Sequence, residues 1–236
     1  MEAALYVKIE YILTWLITAR RLLRTMEQRV HKIIINQQNS YVRKDEEENI
    51  IWVVDPADLR ISYCLVFGLL DEFSRGEYIF RLTLSDSCGR TIDYPTQPPK
   101  LGCLTPNGIF QSDGGSICVS VGEFHSNVAA GTFAMKHAHG WRRTLGITGF
   151  VKTVVFGIMV DWEHADQAGG IRIISDKSKP AIVKYAADSC RFNTKHNTRA
   201  MELVNQFIAD HPDLKSVKNL LESRGVISGG SSTADP

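Results

Sequence analysis

The sequence predicts an α+β fold: an N-terminal helix, a four-stranded antiparallel meander, an irregular crossing and C-terminal helices. Three observations carry that prediction. Apolar residues from Ile12 to Ile35 recur at three-to-four spacing with basic residues between them, the period of a helix with one buried face. Short β-branched and aromatic runs follow between residues 50 and 104, bounded by turn-forming residues. Helical spacing then returns for the remainder, so strands and helices are segregated instead of alternating as βαβ units.

Taken in order, the first helix covers Ile12 to Ile35, and the polar, charged stretch from Asn36 to Asn49 reads as a loop. Strands are expected at Ile50 to Asp55, Ser62 to Gly68 and Glu77 to Leu84, the last alternating through Tyr78, Phe80, Leu82 and Leu84. Asp71 to Gly76 is a turn-rich connection. Tyr94 to Pro99 carries three prolines, which remove donors and fix the backbone, so it is neither helix nor central strand. A fourth strand, Lys100 to Leu104, precedes an irregular, glycine-containing stretch from Thr105 to Ser120. Helices are expected at Trp141 to Met159, Pro180 to Phe192, Arg199 to Ala209 and Leu214 to Ser223, with a polar stretch from Asp161 to Lys179. The organisation that results is a helical extension at 1–19, a core domain at 20–195, and a C-terminal helical extension with a polar tail at 196–236.

Bulk properties narrow the function. The chain has 236 residues with 44% hydrophobic and 22% charged, an ordinary globular composition. Its 27 basic residues nearly balance 26 acidic ones, so it lacks the basic excess that phosphate backbones require, and no nucleic-acid partner is expected. Five widely spaced cysteines, at 64, 88, 103, 118 and 190, form no CxxC pair, which argues against a disulfide framework or a cysteine zinc site. A reducing compartment suits them. The apolar run Tyr11 to Ala19 is shorter than the roughly 20 residues a membrane span needs, and Glu2 is of the wrong sign for a secretory signal. It reads as an amphipathic helix that docks on the domain or on a partner.

Chemistry concentrates between Tyr94 and Ser120. The stretch reads Tyr-Pro-Thr-Gln-Pro-Pro, then Thr105-Pro106-Asn107-Gly108, then Gly-Gly-Ser-Ile-Cys118-Val-Ser. In order and approximate spacing it resembles the ubiquitin-conjugating enzyme family, most closely the Thr-Pro-Asn-Gly branch that acts in endoplasmic-reticulum-associated degradation. Asn49-Ile50 with Trp52, Phe67-Gly68 through Gly76-Glu77-Tyr78, Glu123-Phe124-His125, Gly140-Trp141, and Ala186 to Ser189 with Phe192-Asn193 extend the similarity over roughly residues 20 to 195. The chain differs from the branch in several places. Asn107 lies 11 residues before Cys118, one more than the pattern. About eight residues are inserted between His125 and Trp141, and the branch's first tryptophan is missing. Thr96 stands where a bulky apolar residue is usual, and the branch's C-terminal membrane anchor is not found in the sequence.

The resemblance implies a ubiquitin-conjugating fold and an acyl carrier that holds ubiquitin as a thioester on Cys118. Such a carrier needs a thiolate on a reachable irregular loop, which is what the glycines before Cys118 suggest. Asn107 is implied as oxyanion donor or loop brace, and the reading of it as a turn asparagine stands beside these. His125 is implied as a general base for hydroxyl acceptors, since a neutral imidazole can activate Ser or Thr where lysine needs little help. Arg20, Arg21 and Arg24 are implied to meet the ubiquitin-activating enzyme, against a plain solvated helix face. Pro95, Thr96 and Pro98 are implied to meet a RING-type ligase. A protein substrate would be the last partner, with the chain in the cytoplasm or held by a partner at the cytosolic face of the endoplasmic reticulum. No cofactor is expected. His137 and His139, with His125 upstream, could converge only on an extended segment and have no acidic or cysteine third ligand close in sequence, so no metal is expected either. The competing reading is an inactive variant of the same fold that serves as a binding or scaffold module.

Overall fold

The structure is a computed structural model, and it describes residues 24–117, 143–160, 162–164 and 179–226. Its sheet has four strands in the order β1-β2-β3-β4, all antiparallel: β1 (Ile50–Val54), β2 (Ile61–Val66), β3 (Tyr78–Thr83) and β4 (Lys100–Cys103). Residues 24–44 form helix α1. Helix α2 (Arg143–Val160) opens with a 3-10 turn and widens into a π turn at Lys152–Phe156. Helices α3 (Lys179–His196), α4 (Thr198–Asp210) and α5 (Lys215–Ser223) complete the α+β architecture expected from the sequence.

Strand alternation explains the layering, because successive side chains point to opposite faces. Trp52, Cys64, Phe80 and Cys103 are opposite one another across all four strands and point into one face. There they meet Val30 and Ile34 of α1, Ile147 to Met159 of α2, and Ile182 and Ala186 of α3. The second face carries Ile51, Val53, Tyr63, Leu65 and Ile79, and it is covered by Met201, Val204, Phe207, Val217 and Leu220 of α4 and α5. Coverage of both faces is why β1 reads as an almost unbroken apolar run, Ile-Ile-Trp-Val-Val. Two arginine–carboxylate forks fasten the second layer. Arg199 of α4 meets Asp55 after β1 at 2.6 and 3.2 Å, and Arg224 after α5 meets Glu77 before β3 at 2.6 and 2.7 Å.

The loop expected at Asn36 to Asn49 is corrected: α1 continues through residue 44. Its polar composition is offset by tertiary contacts that periodicity does not report. The Tyr41 hydroxyl donates to Ile50 O at 2.8 Å, its ring packs edge-on against Trp52, and Gln37 accepts from Tyr94. Burial pushes the Tyr41 phenol up to about 12. Among the described residues one helix, α2, is long and apolar enough to cross a membrane. Its apolar side belongs to the core, where Ile147, Phe150, Val151, Val154, Val155, Ile158 and Met159 are buried.

Candidate active site

After β4 the chain turns sharply at Thr105-Pro106-Asn107, and side chains hold the turn. Asn107 is fully buried. Its Nδ2 donates to Thr105 O at 2.8 Å and to Cys103 Sγ at 3.2 Å, while its Oδ1 accepts from the amides of Ile109 and Phe110, each at 2.8 Å. Both amide protons are therefore engaged, and this geometry is that of a brace. The positive φ open to a turn asparagine falls on Gly108 instead, at 87°. Cys103 is buried beside it, and burial pushes its thiol up to about 12. Burial likewise raises the Cys64 thiol, so neither is a ready nucleophile. Cys88 and Cys190 are exposed.

From this turn the chain runs back along the free edge of β4. Gly114 N donates to Cys103 O at 2.9 Å and Ile117 N to Leu101 O at 2.7 Å. Arg81 of β3 reaches across to Gly114 O at 2.9 Å. Gly102 must be glycine here, since a Cβ would lie 2.4 Å from Gly114 O. Ile117 ends the segment buried in the core, 3% exposed. Cys118 and His125 lie outside the described residues, as do Arg20, Arg21, His137 and His139.

Pro95, Thr96 and Pro98 are half-buried on the turn between β3 and β4. This turn is tied to α1 by the Tyr94 hydroxyl, which donates to Gln37 Oε1 at 2.7 Å, and by an Arg29–Asp93 ion pair at 3.7 Å. The structure thus brings the Pro95–Pro98 turn onto the same helix that carries exposed Arg24.

A buried polar cluster escaped the sequence reading. Thr105 Oγ1 accepts from Ile79 N at 2.8 Å and donates to Asn193 Oδ1 at 2.6 Å. Asn193 Nδ2 donates to Glu77 O at 2.8 Å, Glu77 N donates to Ser189 Oγ at 2.8 Å, and Asn197 Nδ2 donates to Asn193 Oδ1 at 2.9 Å. A signal was present: Ile182, Ala186, Ser189 and Asn193 share one helical period, so polar residues continue the buried apolar stripe of α3. Among the described residues no group of three or more His, Cys, Asp or Glu side chains is placed to hold a metal ion. Comparison with protein-family models and with curated proteins finds no match.

Proposed function

We propose that the chain is a ubiquitin-conjugating enzyme with a ubiquitin-conjugating fold, carrying ubiquitin as a thioester on Cys118. The observation that supports this reading best is the braced turn at Thr105–Asn107 followed by a segment fastened to β4 as far as Ile117. Acyl transfer strongly rewards a rigid scaffold leading up to its nucleophile, and Cys118 is the next residue in the sequence. In the proposed cycle the Cys118 thiolate attacks the thioester carbonyl of ubiquitin on the activating enzyme and expels that enzyme's thiolate. A substrate lysine amine then attacks the Cys118 thioester, expels the Cys118 thiolate and gives its proton to solvent. With a Ser or Thr acceptor, His125 takes the hydroxyl proton as general base. Arg20, Arg21 and Arg24 dock the activating enzyme, and the Pro95, Thr96 and Pro98 turn meets a RING-type ligase. The reading further places the chain in the cytoplasm, or at the cytosolic face of the endoplasmic reticulum through a partner.

One observation favours a second reading, an inactive scaffold of the same fold: both Asn107 amide protons are already taken by Thr105 O and Cys103 Sγ. One assay separates the two. The chain is incubated with activating enzyme, ATP and ubiquitin. The carrier reading expects an adduct that reducing agent removes and that Cys118→Ala abolishes. Discharge of that adduct onto free serine should then be slowed selectively by His125→Ala, with discharge onto free lysine retained. Absence of any reducible adduct would sink the carrier reading and leave the scaffold.

A further inference from the structure

Asn193 is fully buried and stands 88 residues from Thr105 in sequence, yet their side chains share a 2.6 Å hydrogen bond. The proton accounting here is tight. Because Thr105 Oγ1 accepts Ile79 N, its single proton has one destination, Asn193 Oδ1. Loss of the Asn193 carboxamide would strand that proton and the Glu77 carbonyl where water does not reach, and unsatisfied buried groups are costly. The chain of bonds continues outward. Thr105 O holds Asn107 Nδ2, and Asn107 Oδ1 holds the amides of Ile109 and Phe110. Asn197, one turn further along the chain, anchors the other end, donating to Asn193 Oδ1 at 2.9 Å and to Leu104 O at 3.4 Å.

We infer that Asn193 is a positioning residue for the Thr105–Phe110 turn: from α3 it sets the geometry of Asn107 and of the chain that leads on to Cys118. Its effect on activity rests on the thioester-carrier reading, whereas the mechanical coupling does not. This coupling makes α3 part of the site although it contributes no group to the chemistry.

The test uses the full chain with Asn193→Ala, Thr105→Val, Thr105→Ser and the Asn193→Ala/Thr105→Val pair. Amide exchange at Ile109 and Phe110 should accelerate about tenfold in Asn193→Ala, as expected for losing, among its three side-chain hydrogen bonds, the one that ties Thr105 to α3. The rate constant for discharge from Cys118 at saturating lysine should fall about ten- to hundredfold in both single variants, as expected for a displaced catalytic turn. Thr105→Ser should keep the wild-type rate, and the double variant should be no slower than the worse single one. Unaltered exchange at Ile109 and Phe110, losses that multiply in the pair, or normal discharge despite faster exchange would each overturn the assignment. If the wild type forms no thioester while exchange still accelerates, the carrier reading fails and the coupling stands.

Discussion

At the residue scale, the two arginine forks show how single side chains decide where a layer sits. Asp55 is 7% exposed, and the Arg199 guanidinium holds its carboxyl below the usual 3.8, helped by the Ala57 amide. A carboxylate with a depressed value stabilises the fold above its ordinary value, and that contribution is lost as pH falls below 3.8 through the folded value. Arg199→Met should therefore unfold at lower urea than wild type at pH 6, with the gap closing as pH drops toward the acid limit. A gap that stays constant in urea titrations across that range would mean that the fork contributes nothing specific. The same logic of satisfied buried groups explains why Asn107 is a brace: four partners surround its carboxamide, so the side chain is a structural joint before it is anything else.

At the element scale, the close contact between β4 and the returning chain governs the candidate site. Gly102→Ala would press a methyl group against a backbone carbonyl that cannot swing away, and overpacking of this kind costs about 1–3 kcal/mol. Denaturant unfolding should show that loss, and charging at Cys118 should slow in the same variant under the proposed function. The positions of the elements were largely legible in the sequence. All four strands lie within two residues of their expected ends, because alternation and turn residues bound them locally. The stretch 36–44 was not legible, since its helix depends on Tyr41 and Gln37 reaching Ile50 and Tyr94. The candidate turn was found through its motif, while Asn193 and Ser189 were missed. Their roles depend on partners 88 to 116 residues away; the helical period of α3 marks them as buried but does not name those partners.

At the scale of the whole molecule, the protein is a sheet with helices on both faces, and the outer layer is as apolar beneath as the inner one. Leu220 and Val217 are fully buried against it. Leu220→Ala should cost about 2–5 kcal/mol, a core-sized penalty measurable by urea unfolding. A loss under 0.5 kcal/mol, the range of ordinary surface changes, would mean that α5 merely rests on the sheet. The strand edge at β4 has a different consequence. Its outward carbonyls at Leu101 and Cys103 are already taken by Ile117 and Gly114 of the same chain. A sheet edge with its acceptors filled offers little template to a strand from another molecule. Self-assembly by edge pairing at β4 would first have to peel away the segment that ends beside Cys118. Polymerisation through that edge and the pairing of Gly114 and Ile117 with β4 are thus mutually exclusive states of one stretch of backbone.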